Sequence, residues 1–168
     1  YSSDSTINNN QSDDNQTHGI SLSYATNNSV TGNSCSDNNR GIELSRSTNN
    51  LLKNNNVFLS VGEGIYLANT SDNNILEENT VGFCDSGIEI YGSGTNQVFG
   101  NVSNLNGNGL YIWSGAAGNL VWDNEFNGNG DYGIYLYNAD DNTFYLNDLE
   151  LNTGGNVYST GSTNTWNT

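Results

Sequence analysis

The sequence predicts an all-β fold, a right-handed single-stranded parallel β-helix. The expected solenoid has about seven coils of 22–24 residues, no capping helix and a single domain over 1–168. Three observations predict it. A Gly-Ile-x-Leu unit recurs at Gly19-Ile20-Ser21-Leu22, Gly41-Ile42-Glu43-Leu44, Gly64-Ile65-Tyr66-Leu67, Gly87-Ile88-Glu89-Ile90, Gly109-Leu110-Tyr111-Ile112 and Gly133-Ile134-Tyr135-Leu136, with glycine-to-glycine steps of 22, 23, 23, 22 and 24 residues. Two columns of Asn keep the same period. Each coil also carries three short apolar segments separated by polar corners, the pattern of short strands joined by turns.

The first strand of a coil is the Ile-x-Leu segment, which alternates in and out as a half-buried strand does. The second lies two residues after an Asn: Asn28/Val30, Asn50/Leu52, Asn74/Leu76, Asn96/Val98, Asn119/Val121, Asn142/Phe144 and Asn164/Trp166. The third follows a further Asn (Asn33, Asn55, Asn79, Asn101, Asn124, Asn147) and brings in Cys35, Val57, Val81, Phe126 and Leu149. Three strands per coil give a roughly triangular section. Asn suits the corners because it tolerates a left-handed backbone, and stacked amides can bond along a ladder. The Gly before each Ile is expected to fill a tight turn, and crossovers between parallel strands run right-handed.

Composition narrows the function. Eighteen acidic and three basic side chains give a formal net charge of −15, which argues against nucleic acid and anionic membranes as partners. No apolar run reaches the ~20 residues of a membrane helix, and no leader pattern opens the chain, so it reads as a mature or trimmed product. Hydrophobic residues make up 33%, low enough to raise disorder, but a disordered tract has no reason to keep apolar register. Cys35 and Cys84 fall in different rows about two coils apart, beyond the ~7 Å reach of a disulfide, and are expected as separate thiols. No helix caps either end. The chain is then part of a longer array, or its ends stack on other copies.

The pattern Asn-x-Val-x-x-Asn…Gly-Ile-x-Leu-x-x-(Ser/Thr)-x-x-Asn resembles the repeats of the NosD-like, carbohydrate-binding and sugar-hydrolase (CASH) superfamily of parallel β-helices, over nearly the whole chain. That resemblance implies lyases, hydrolases, epimerases or surface proteins. Its repeats are frequent in secreted and surface proteins of methanogenic archaea, and the acidic, Asn-, Gly- and Ser-rich composition is similar to that of archaeal sheath and surface-layer proteins.

Catalytic and metal patterns are sparse. The resemblance suggests copper, but copper favours His, Cys and Met, and the chain has one His and no Met. His18 reads as a solvated corner residue. No cofactor is expected. Calcium is the one candidate ion, at Glu125, Asp148 and Glu150, where Glu125 and Asp148 share a row in adjacent coils. Glu43 and Glu89 share an outward row two coils apart, ~9.6 Å at the usual spacing, with Tyr66 between them. A β-helix lyase needs a basic residue to take the α-proton; only Arg40, Arg46 and Lys53 are available, none with a cluster of acids in a matching lyase motif, and Lys53 pairs in register with Glu77. These readings predict that the chain is not an enzyme.

The outward aromatics are more distinctive. Tyr66, Tyr111 and Tyr135 fall in one column, Tyr91, Trp113 and Tyr137 in a second, and Phe99, Trp122 and Tyr145 in a third on the neighbouring strand. Early coils carry Ser21, Ser23, Glu43, Ser45 and Ala68 in the first two columns. Rings stabilise one another down a ladder; otherwise an exposed patch of this kind marks a partner site, with flat faces suited to sugar rings or another β-helix. Glycosylation sequons occur at Asn10, Asn15, Asn27 and Asn69, and at the inner-ladder Asn101. The leading expectation is an extracellular, self-assembling cell-surface protein whose partners are copies of itself. The second is a carbohydrate-binding or carbohydrate-processing module with glycans as partners.

Overall fold

A computed structural model describes residues 2–167, and among them every regular element is a β-strand. A seven-stranded parallel sheet stacks His18–Ser23, Arg40–Ser45, Glu63–Ala68, Ser86–Tyr91, Asn108–Trp113, Tyr132–Tyr137 and Gly155–Thr160 in chain order. An eight-stranded sheet stacks Thr6–Asn8, Ser29–Thr31, Leu51–Lys53, Ile75–Glu77, Gln97–Phe99, Leu120–Trp122, Thr143–Tyr145 and Thr165–Asn167. The third has five strands, Gln11–Asp13, Ser34–Ser36, Asn56–Phe58, Thr80–Gly82 and Val102–Asn104, and single bridges carry it on through Glu125 and Asp148. Each strand pairs with its counterpart one coil away, so the fold is a parallel β-helix.

Period-2 alternation places the core. Ile20, Ile42, Ile65, Ile88, Leu110 and Ile134 form one buried row, with the Leu or Ile two residues on forming the next. Val30, Leu52, Leu76, Val98, Val121 and Phe144 line the opposite wall, and Cys35, Val57, Val81 and Phe126 the third. Burying one such side chain fully is worth about 1.5–3 kcal/mol. Only stacking between coils supplies that burial. Both cysteines are free and buried, as two separate thiols.

The section has four corners rather than three. Beyond the three sheets a short fourth side runs between the corner at Ala25 and the corner at Asn28, where Ser2–Ser3 pairs with Ala25–Thr26 and Thr26 bridges to Thr48. Its corner column is built from Ala25, Ser47, Ser71, Ser93, Ala116 and Ala139. The hydroxyls of Ser47, Ser71 and Ser93 each accept the N–H of the residue one coil earlier.

The Asn columns are continuous inner ladders. Asn28, Asn50, Asn74, Asn96, Asn119 and Asn142 each donate both N–H and Nδ2 to the Oδ1 one coil on, at 2.8–3.2 Å, ending at Asn164. Asn33, Asn55, Asn79, Asn101 and Asn124 do the same, ending at Asn147. Satisfied amides of this kind can be buried at little cost. A third ladder at the remaining corner, Asn15, Asn38, Asn106, Asn129 and Asn152, is interrupted by Ser60 and Cys84. There the Ser60 hydroxyl is buried without a hydrogen-bond partner, beside a thiol that donates to Gly82 O (3.3 Å).

Two expectations about backbone need correction. The left-handed residue at each corner is the one before the ladder Asn: Asn27, Asn49, Asn54, Asn73, Glu78 and Asp123 all have φ of 54–58°. The ladder Asn is buried with its amide bonded to the next coil, and the residue before it makes the bend. The repeat glycines do not supply a left-handed turn either. A Cβ on Gly41 would lie 2.6 Å from Gly64 O, and one on Gly64 2.7 Å from Gly87 O, so close packing of successive coils excludes a side chain.

Candidate functional site

The outward face of the seven-stranded sheet gathers the chemistry. Strand register puts Ser21, Glu43, Tyr66, Glu89, Tyr111, Tyr135 and Tyr158 in one column. A second column holds Ser23, Ser45, Ala68, Tyr91, Trp113, Tyr137 and Thr160. His18, Arg40, Glu63 and Ser86 begin four successive strands and flank the first column.

Arg40 is the hub of the early coils. Its guanidinium bonds Glu63 through Nε and Glu43 through Nη1 (3.1 Å), and lies over the Tyr66 ring at 4.4 Å. Glu43 also takes His18 Nε2 at 3.1 Å and the Ser21 hydroxyl at 3.3 Å. His18 is therefore partnered rather than a solvated corner residue, and Arg40 is paired with two acids. The His18–Glu43 and Arg40–Glu63 contacts join neighbouring coils, and His18, Arg40 and Glu63 are strand-start residues that the Gly-Ile-x-Leu pattern leaves out.

Glu89 was read as solvent-facing, but it is only 6% exposed. Its outward column neighbours are Tyr66 on one side and Tyr111 on the other, and Trp113 donates Nε1 to its Oε1 at 2.9 Å. Burial pushes the carboxyl above the usual range. Trp113 opposes that shift, the Glu63 charge reinforces it, and Ser86 and Arg40 oppose it. Burial likewise pushes the phenols of Tyr66 and Tyr111 up to about 12, so both remain neutral hydroxyls at any ordinary pH. The sequence signal for the burial was an acid with a bulky aromatic one coil before and one coil after it in the same column.

The aromatic columns pack largely on themselves. Tyr111 stacks on Tyr135 at 4.6 Å and on Trp113 at 5.5 Å, and Tyr91 meets Trp113 at 4.6 Å. Tyr132, Tyr135 and Tyr158 close a further cluster at 5.1–5.5 Å. On the eight-stranded sheet Phe99 stacks on Trp122 at 4.3 Å and Trp122 on Tyr145 at 5.9 Å. The flat faces expected to meet a partner are mostly spent on neighbouring rings, and edges and hydroxyls are left outward. Tyr137 is exposed and Ala68 is buried.

The remaining candidates are dispersed. Glu125 and Asp148 are bridged neighbours, but Glu125 takes the amide of Asn104 and Asp148 that of Asn127 (2.9 Å), while the Glu150 N–H donates to Asn127 Oδ1. Among the described residues no group of three or more His, Cys, Asp or Glu side chains is disposed to hold a metal ion. Asn10 and Asn15 head inner ladders, with Nδ2, the atom a glycan would use, already donated to Asn33 and Asn38. Asn27 and Asn69 are exposed corners. Lys53 bonds Glu77 at 2.7 Å, the pair read from register, and reaches Glu78 at 3.4 Å. Two open concavities, one lined by Asp14, Asp37 and Val61 and one by Tyr145, Leu146 and Trp166, lie away from Glu89. The titrating groups and their geometry, rather than concavity, mark the site on this flat face.

The chain belongs to the right-handed β-helix family: the family described as right handed beta helix region matches residues 1–126. No curated protein matches it. Among solved structures it is similar to the periplasmic alginate epimerase AlgG, at 19% identity and a TM-score of 0.81 over 94% of this chain and 44% of that one. The Azotobacter vinelandii mannuronan C-5 epimerase AlgE6 A-module aligns at 15% identity and a TM-score of 0.76, over 95% of this chain and 57% of that one. An alginate lyase from Paenibacillus sp. str. FPU-7 aligns at 17% and 0.66, over 77% and 54%. At these identities the likeness establishes the fold, and the chain spans about half the length of each neighbour. It also corrects one expectation. The chain was read as a non-enzyme, yet the proteins sharing its fold are named as carbohydrate-acting enzymes, and the outer face carries the buried carboxyl that the reading missed.

Proposed function

We propose that this chain is a carbohydrate-processing β-helix protein that binds a glycan along the outward face of the seven-stranded sheet, with Glu89 as its proton-transfer group. The observation that carries the reading is Glu89 itself: a carboxyl buried on an outer face, raised above its ordinary range, between Tyr66 and Tyr111 and fixed by Trp113 Nε1 at 2.9 Å. A carboxyl that keeps its proton to higher pH than a free one can hand it to a sugar oxygen, and general acid catalysis of this kind contributes about 10²–10⁴-fold. Arg40, held by Glu43 and Glu63 over Tyr66, fixes the ring on one side of it. The carbohydrate-acting neighbours support the same reading, and the periplasmic one supports an extracellular or envelope location.

This reading replaces the self-assembling surface protein as the leading one. The aromatic columns that argued for lateral packing find partners within the chain, so they no longer call for a second copy.

Reducing-end release and NMR on a polysaccharide panel test it. Wild type turns over at least one glycan, and Glu89→Gln loses about 100-fold or more with an unchanged circular dichroism spectrum. Wild-type rate falls as pH rises through the Glu89 titration. Full turnover by Glu89→Gln sinks the assignment of Glu89. Glycan binding without turnover leaves the chain as a binding module.

A further inference from the structure

We propose that the glycan this face takes is a neutral one rather than a polyuronate. The inference rests on the carbohydrate reading above and narrows it to a substrate class.

A polyuronate carries a negative charge on every sugar, and a protein that holds it must offer free positive groups at a comparable density, because unmatched like charges across an interface cost affinity. The chain has three Lys and Arg in all. Arg40 is committed to Glu43 and Glu63, Lys53 to Glu77 and Glu78 on a different sheet, and Arg46 to the Tyr24 hydroxyl. The one histidine, His18, lies against Glu43. A bond to a neutral phenol leaves Arg46 its charge, so among the described residues a single cation remains without an acid, against one negative charge on every sugar, and the outward face adds Glu43 and Glu63 of its own. With a net charge of −15 behind it, the long-range field also repels a polyanion.

What the face offers instead is neutral. From Tyr111 onward the outward aromatics are Tyr111, Trp113, Tyr132, Tyr135, Tyr137 and Tyr158, over two rungs or ~9.6 Å along the axis. Tyr111 stacks on Tyr135 and Tyr132 packs tilted against Tyr158, so these faces are taken up by neighbouring rings and what remains for a ligand is ring edge and phenol hydroxyl. A phenol hydroxyl both donates and accepts, as a sugar hydroxyl does. A phenol is neutral at ordinary pH, and burial raises Tyr111 and Tyr135 further, so the row stays uncharged. The row begins one coil after Glu89 in the same column, so a glycan lying on it reaches the buried carboxyl.

The test is binding of the whole chain to two immobilised panels: neutral polysaccharides (xyloglucan, galactomannan, laminarin, inulin) and polyuronates (alginate, polygalacturonate). At least one neutral glycan is expected to bind, with affinity changing less than about twofold between ~50 and ~500 mM NaCl. Tyr111→Phe and Tyr135→Phe, which keep the rings and remove only the hydroxyls, should each weaken it by about 3–10-fold. Retention of polyuronates alone, weakened by salt, overturns the neutral class and leaves the carbohydrate reading standing. Binding of a neutral glycan that is indifferent to both Tyr→Phe changes overturns the hydroxyl row as the contact. Binding to neither panel overturns the carbohydrate reading itself.

Discussion

Replacing Asn79 by Ala measures what one ladder rung contributes. The side chain is fully buried. Its Oδ1 accepts the Asn55 N–H at 3.0 Å and Asn55 Nδ2 at 2.9 Å, and its Nδ2 donates to Leu52 O and Asn101 Oδ1, both at 2.9 Å. Alanine keeps only the backbone donation to Asn101 Oδ1. Asn55 Nδ2 falls back on Val30 O (2.9 Å), but the Asn55 N–H is orphaned in the core. One orphaned donor costs about 1–3 kcal/mol and the two lost donations about 1 kcal/mol each, so the total is about 3–5 kcal/mol. That is a large part of a typical domain stability of about 5–15 kcal/mol. Urea unfolding followed by circular dichroism reads it, with exposed Asn8→Ala as a control expected within about 0.5 kcal/mol of wild type. Asn79→Asp refines the experiment, since it keeps an acceptor for Asn55 but turns a carboxylate toward Asn101 Oδ1. It should therefore be worse at pH 7 than at pH 3. An Asn79→Ala protein within about 1 kcal/mol of wild type would refute the view that the amides bear the stack.

Three further outcomes follow from other positions. Glu89 has a folded pKa above its unfolded value of about 4.5, so stability linked to its protonation is complete below that pH and is lost as pH rises through the folded value; Glu89→Gln should gain on wild type with rising pH and match it at pH 3 in thermal melts. Gly64→Ala forces a Cβ to 2.3 Å from Val81 Cγ1 and 2.7 Å from Gly87 O; it should cost about 1–3 kcal/mol, and Val81→Ala should rescue it only in part because the carbonyl remains, whereas complete rescue argues against the backbone clash. The Cys35 thiol, pushed up to about 11 by burial and secondarily by Asp13, should resist a disulfide reagent until the chain unfolds; fast labelling of the native protein contradicts its place in the core.

The fold was legible because each coil repeats the same constraint. Ile42, Ile65 and Ile88 must all point inward, so a single register satisfies every coil at once. The fourth corner was not legible, because Ala25, Ser47 and Ser93 are small residues that make no apolar signal. The site was hidden for a different reason. Period-2 alternation says which way Glu89 points and nothing of how tall its neighbours are, and Tyr66, Tyr111 and Trp113 together cover it. Arg40 and Glu63 lie one step outside the repeated motif, so their meeting depended on the exact stagger of adjacent strand starts.

The ladders also make the stack directional and modular. From amide to amide the wiring runs one way: each rung gives its N–H and one Nδ2 hydrogen to the Oδ1 of the following coil and receives the same pair from the preceding one, while the other Nδ2 hydrogen goes back to a main-chain carbonyl. Any coil can therefore follow any other, provided the phase is kept. Excising residues 74–95 would set Asn50 against Asn96 and rejoin the circuit, whereas excising half that length would set amides against apolar rows. Such a chain lengthens or shortens by whole turns, as a sentence does by whole words, and the outer face, free of that grammar, can change its meaning turn by turn.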